Sequence, residues 1–200
     1  MLEWGKANMI KNPEVTRNKI IEAFLKSYKH KRIEQITIGE IAKEANINRG
    51  TFYYYYKDIY DLMEHIEQQI FEGVVERIER IIECLVDSHN TEGVAVVATE
   101  FLQDYREIAM LFIVDKPNLI LQRKIKERGK QILLKQLGIN EEHLSIEQKY
   151  LHEYVASAQF GLISYWLAHN QDMTPTQLAK VMEMANLKGA VTSMRQLAEV

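Results

Sequence analysis

Apolar residues return every three or four positions along most of the chain, and the places where that period fails divide it into helices. Asn12, Pro13 and Glu14 make a helix start: a cap residue, a proline at the first helical position and an acid favoured by the helix dipole. Ile20, Ile21, Phe24, Leu25 and Tyr28 then form one stripe. Thr37 with Glu40 is a capping box that opens a short helix with Ile38, Ile41, Ala42 and Ala45 on its inner face. Asn46, Ile47 and Asn48 break the period. Asn tolerates the left-handed backbone of a turn, Ile47 is placed to plug the angle between two helices, and Asn48 can cap the next one. Asp58 and Asp61 open a much longer helix, in which Ile59, Leu62, Met63, Ile66, Ile70, Val74, Ile78, Ile81, Ile82 and Leu85 keep the spacing for about seven turns.

Beyond a loop at residues 87–90, Thr91 begins a helix carrying Val94, Val97, Ala98, Phe101, Leu102 and Tyr105. A shorter apolar stretch from Ile108 to Val114 precedes a break at Asp115, Lys116 and Pro117. The following helix, about 118–137, ends at Gly138 as a C-cap. Ser145 with Gln148 and Thr174 with Gln177 are two further capping boxes, opening helices near 146–170 and 175–187. The first of these is apolar on nearly all sides, so it is predicted to be buried on several. One side is expected to pack on the core. The other, with Tyr154, Ala158, Gly161, Leu162 and Tyr165, is expected to meet a second subunit together with Leu178, Val181 and Met182 of the last helix.

The segment after Asn48 departs from the core pattern. From Arg49 to Lys57 it offers Arg, Gly, Thr, Phe, four consecutive tyrosines and Lys, where a core helix would offer aliphatics. Phe52 and Tyr56 face inward, which leaves Arg49, Thr51, Tyr53 and Tyr55 pointing out. Exposed aromatic surface with polar tips, beside a glycine that admits close approach at Gly50, suits a phosphate-lined groove. A helix-turn-helix puts its second helix in the major groove with N-terminal residues on base edges, and Arg49 stands at that end.

Charge sharpens this picture. The formal net charge is −3, but residues 1–57 hold eleven Lys or Arg against six Glu, giving +5, and the remainder carries −8. A basic head on an acidic body confines an electrostatic footprint to one end. Residues 1–12, with Trp4, Lys6 and Lys11, read as a basic arm, a short helix or an upstream extension. The single cysteine, Cys84, rules out an internal disulfide and any multi-cysteine zinc site. No apolar run is long enough to span a bilayer and the N-terminus lacks a signal-peptide core, so a cytoplasmic location is expected.

The run from Thr37 to Leu62 resembles the DNA-binding domain of the TetR family of transcriptional regulators: a capped helix, a turn, a Gly-Thr-aromatic-Tyr recognition helix and the start of a long fourth helix. The likeness extends from about Pro13 to His65. It implies that Arg49 reads bases and that Thr51, Tyr53 and Tyr55 touch bases or phosphates, with Thr37, Gly50 and Lys57 completing the surface. Many members carry Lys two residues after the position of Lys57. Here that position is Ile59, and Lys57 is the candidate substitute. Gly161, Trp166, Leu167 and Pro175 are similar to a C-terminal element of one TetR subgroup.

The expected architecture is therefore all-α: a three-helix head, residues 1–57, ordered from about 13, and a helical effector-binding and dimerisation body of about six helices, residues 58–200. The long helix is expected to couple the two mechanically, with Gly73 either softening it or serving as a packing site. The expected function is that of a homodimeric repressor that binds a palindromic double-stranded DNA operator and is released by a small-molecule ligand. Phe71, Phe101, Tyr105, Met110, Tyr150, Tyr154 and Trp166 are the candidate pocket lining. The alternatives are a regulator answering to a protein partner or to no effector, and a helical interaction protein that has lost DNA binding. The sequence contains no nucleophile elbow, phosphate loop, dinucleotide fingerprint or His-Glu-x-x-His, so no enzyme, cofactor or metal is expected.

Overall fold

The computed structural model describes residues 13–87, 90–169 and 172–189. The arm at 1–12, the cap residue Asn12 and the loop residues 88 and 89 lie outside the described residues. Eight α-helices are found among the described residues: α1 (Pro13–Tyr28), α2 (Ile38–Glu44), α3 (Arg49–Tyr55), α4 (Ile59–Asp87), α5 (Thr91–Ala109), α6 (Leu119–Gln136), α7 (Ile146–Ala168) and α8 (Pro175–Lys188). None is long and apolar enough to cross a membrane. The chain forms two compact units, residues 1–70 and 71–200, so the division falls within α4, whereas the boundary expected from the sequence lies after Lys57.

In the first unit α1 packs on α2 and α2 on α3. Ile20, Phe24, Ile41, Phe52, Leu62 and Ile66 make its fully buried centre. The turn between α2 and α3 takes the form its residues dictate. Asn46 adopts φ 54°, the Ile47 amide donates to the Ala42 carbonyl at 2.9 Å, and the Asn46 amide donates to that of Lys43 at 3.2 Å, a Schellman closure with Asn in place of the usual Gly. Asn48 then caps α3, its side chain accepting from the Thr51 amide at 2.7 Å. Asp58 caps α4 by accepting from the Tyr60 and Asp61 amides, both at 2.9 Å.

In the second unit α8 lies along α5. Ala179 meets Val94 and Ala95, and Leu178 joins Ala109, Trp166 and Leu167 in a core that Phe101, Met110, Leu162 and Met182 flank. The apolar stretch after Ile108 is no separate helix. It prolongs α5 as a π-helical turn, Met110–Asp115, in which Leu111 and Phe112 are buried. The capping boxes at Ser145 and Thr174 both form. Gly138, at φ 66°, closes α6 with the bonds that Asn46 uses for α2. Gly73 is a packing site: a Cβ there would stand 2.5 Å from the Tyr105 hydroxyl, so the glycine is what lets this ring lie across α4. Tyr105 in turn carries the Arg77 guanidinium 4.8 Å above its centroid, and Arg77 pairs with Asp104 at 2.7 Å.

Candidate nucleic-acid interface

Helix α3 and its C-cap residue Tyr56 turn two aromatic rings in and three out. Phe52 and Tyr56 lie four residues apart and are buried; Tyr53 and Tyr54 are exposed, and Tyr55 is half-covered. The Tyr54 side is the outermost, 80% exposed. Sequence reading passed over Tyr54, although the helical wheel contains the signal: at about 100° per residue it stands farthest from both Phe52 and Tyr56. Tyr60, on the first turn of α4, is likewise exposed and was likewise missed. Tyr54 and Tyr55 meet edge to face at 5.1 Å, and Arg17 of α1 stands 5.8 Å from the Tyr55 centroid.

Of the polar residues predicted for this surface, Thr37, Arg49, Gly50 and Lys57 are exposed and Thr51 is half-exposed. Thr37 caps α2, its hydroxyl accepting from the Glu40 amide at 3.2 Å. Thr51 donates its hydroxyl proton to Asn48 Oδ1 at 3.0 Å, so its lone pairs and methyl are what remain to offer a ligand. Gly50 and Lys57 are exposed; the Lys57 amide is bound by Asp61 at 2.8 Å while the ammonium reaches solvent. Ile59 is buried, so a side chain at this position serves the core of the unit.

Electrostatics keep the cations apart in role. Lys26 pairs with Glu44 and Lys31 with Glu40, each at 2.5 Å. The Lys31 ammonium is the main cause, and the Thr37 amide a lesser one, that holds the Glu40 carboxyl below the usual carboxylate range. Arg49 enters no ion pair among the described residues, and its guanidinium lies against Gly39. Burial pushes the Tyr56 hydroxyl up to about 12, against the nearby Arg17, which lowers it.

Of the residues predicted for an effector pocket, Phe101, Tyr105, Met110 and Trp166 meet at one core cluster, and Tyr150 and Tyr154 lie outside it. Phe101 and Tyr105 stack at 5.6 Å, Met110 packs on the core, and Trp166 is buried with its indole N–H donated to the Met173 carbonyl at 2.7 Å. Phe71 is half-buried. Tyr150 and Tyr154 are exposed because α7, apolar all round, spends its other side on the core. A different cleft, of about 330 Å³, opens between the π turn, α6 and α7, with Ile113, Leu119 and Phe160 as apolar walls and Gln122, Lys126 and Ser157 as polar ones.

The residues predicted for subunit contact divide in two. Tyr154, Ala158, Gly161 and Tyr165 share one exposed face of α7, continued by Ile146 and Tyr150. Leu178 does not join them: it is 4% exposed, in the core against Trp166. Leu162 and Met182 flank the same core, and Val181 is half-buried. The reason is that α8 turns its apolar side to α5. No cluster of metal-binding side chains occurs among the described residues.

Comparison with known proteins gives the same assignment. Residues 20–66 match the family profile described as bacterial regulatory proteins, tetR family, and residues 89–186 that described as transcriptional regulator C-terminal region. The HTH-type transcriptional regulator YxbF of Bacillus subtilis is 27% identical over 180 residues, 88% of this chain and 46% of that protein. An HTH-type transcriptional regulator of Staphylococcus aureus is 28% identical over 98 residues, 49% of this chain and 51% of its own. The chain thus spans about half the length of the curated relatives it matches. Among solved structures, the fatty acid degradation regulator FadR from Bacillus halodurans superposes with a TM-score of 0.57 at 18% identity, over 88% of this chain and 95% of that one. The dihydroxyacetone kinase operon activator DhaS gives 0.53 at 18%, over 88% and 97%. Both share the fold. With its helix-turn-helix head, tyrosine-rich third helix and helical body, the chain belongs to the TetR family of bacterial transcriptional regulators.

Proposed function

We propose that the protein is a sequence-specific DNA-binding regulator acting as a homodimer, and that it represses until a small molecule releases it from a palindromic operator. The observation that carries the reading is α3, which buries Phe52 and Tyr56 yet leaves Tyr53 and Tyr54 uncovered beside Arg49, Gly50 and Lys57. Arg49 reads a base edge, Thr51 and the tyrosines contact bases or phosphates, and Lys57 supplies a phosphate contact. Thr37 holds the first turn of α2 in place.

One such helix reads few base pairs, so two copies are needed, with their recognition helices about 34–36 Å or a multiple apart in successive major grooves. The exposed face of α7 is the surface through which the copies meet. The exposed Tyr150, Tyr154 and Tyr165 flank the small exposed residues Ala158 and Gly161, which permit close helix approach. The effector site is the cleft beside α6 and α7, whose volume sits at the low end for small-molecule sites. Lys126 there is held by Glu153 at 2.6 Å and by Ser157 at 2.9 Å, so the polar wall carries no net charge and suits an uncharged amphipathic molecule. Release requires only that the effector bind the non-operator conformation more tightly than the operator-bound one.

The test is a fluorescence-anisotropy titration against DNA from upstream of the protein's own gene, at two salt concentrations, beside scrambled DNA. Preferential, saturable binding to the native fragment is expected. Arg49→Ala should relax base preference at a cost of about 1–3 kcal/mol, while Lys57→Ala should weaken all sequences alike and lower the salt slope by about one unit. Equal, weak binding of both DNAs would sink the reading.

A further inference from the structure

Gly39 is the second residue of α2, and nothing in its backbone calls for glycine. The positive-φ glycines among the described residues are Gly138 and Gly189. Within a helix of seven residues glycine is the poorest choice but proline. What the position lacks is a side chain, and the space is taken. A Cβ on Gly39 would stand 2.5 Å from one terminal nitrogen of Arg49 and 3.2 Å from its Cζ and Nε. Arg49 opens α3, so its guanidinium reaches back over the turn onto α2.

The charge of that guanidinium is left free. Glu40 follows Gly39 directly, but its carboxylate is taken by Lys31, and Glu44 by Lys26. Arg49 therefore rests on a glycine surface by contact alone, with its forked N–H donors uncommitted among the described residues. An arginine has a large rotamer entropy to lose when it docks, and one already seated loses less. The fork matches the paired acceptors of guanine, O6 and N7, in the major groove.

We propose that Gly39 is a positioning residue for base reading: its missing side chain seats the Arg49 guanidinium, so that the pair rather than Arg49 alone fixes a preference for guanine. This rests on the DNA-binding reading of α3. The barrier to substitution is low for the fold, because the atoms in the way are the far end of a flexible side chain. Structure and recognition are thus expected to respond in opposite directions.

The experiment selects duplexes from a randomised DNA library with the wild-type protein, then measures anisotropy for the selected duplex, for versions with each guanine replaced by adenine, and for scrambled DNA. Gly39→Ala should lower discrimination at one guanine by about five- to tenfold, leave scrambled-DNA affinity and salt slope unchanged, and melt no lower than wild type. Gly39→Ser, a second variant, should do the same. In an Arg49→Ala background the Gly39→Ala change should have no effect on discrimination. Undiminished discrimination in Gly39→Ala, or an equal loss with and without Arg49, overturns the positioning role and leaves the head a DNA reader. Failure of the wild-type protein to enrich any sequence overturns both.

Discussion

Tyr56 shows what one oxygen atom does in a buried place. The residue is 4% exposed and packs on Phe52 and His65, at 5.9 and 5.5 Å between centroids, but its hydroxyl meets no hydrogen-bond partner among the described residues. A buried donor left unsatisfied costs about 1–3 kcal/mol, so Tyr56→Phe should raise stability in urea denaturation at neutral pH by about 1 kcal/mol. The hydroxyl titrates near 12 when folded, against 10.0 unfolded. Above pH 10 the unfolded chain releases a proton that the folded chain keeps, so the wild type loses stability as pH rises from 10 to 12. Phenylalanine has no such proton, and by pH 11 the advantage of the variant should widen by about 1 kcal/mol. A constant difference between pH 7 and pH 11 would show that the hydroxyl is hydrated.

At the scale of elements, Gly73 and α7 make opposite points about small residues. Gly73 is enclosed: Tyr105 occupies the volume a side chain would need, and Arg77 lies over that ring. Gly73→Ala should therefore destabilise by about 1–2 kcal/mol in thermal melting, because displacing a packed ring outweighs the gain in helix propensity, which is at most about 1 kcal/mol. Gly161 is open: a Cβ there meets nothing within 4 Å. The same residue type fills a gap in one helix and leaves one in the other, and only the surrounding elements tell them apart. Leu178 belongs to this scale as well. Its place at the α5–α8 contact makes Leu178→Ala a core truncation, with an expected loss of about 2–4 kcal/mol.

For the whole molecule, the decisive prediction concerns association. Gly161→Trp starts from a position where a Cβ meets nothing within 4 Å, on an exposed turn of α7 at the edge of the cleft, so its helix content and melting are expected to match wild type. If two copies meet along α7, the variant should sediment as a monomer where the wild type sediments as a dimer, and bind the selected DNA at least about tenfold more weakly. Tyr154→Glu, at a residue 63% exposed, should act alike by placing a charge in the contact. A dimer that survives both changes would move the interface elsewhere.

Much of this was legible in the sequence because it is local. Thr37, Asn48, Ser145 and Thr174 cap their helices through amides three residues away, and Asn46 and Gly138 close theirs in the left-handed conformation that few residue types tolerate. The inward Phe52 follows from helical period, as does the excess of aromatic surface on α3, while Tyr56 turns in as the extended C-cap residue that ends the helix. What only tertiary structure decided is which face of an element meets which neighbour. A helix apolar all round gives no sign of which side is core, so the sequence alone does not tell that Tyr150 and Tyr154 are exposed. The last helix shows one apolar side and not what covers it, so the sequence does not tell that Leu178 packs on Ala109 of α5 and on Trp166 rather than on a second subunit. Period records that a side chain must be buried, but the partner that buries it lies on another element, just as the guanidinium against Gly39 comes from the neighbouring helix, and only tertiary structure brings the two together.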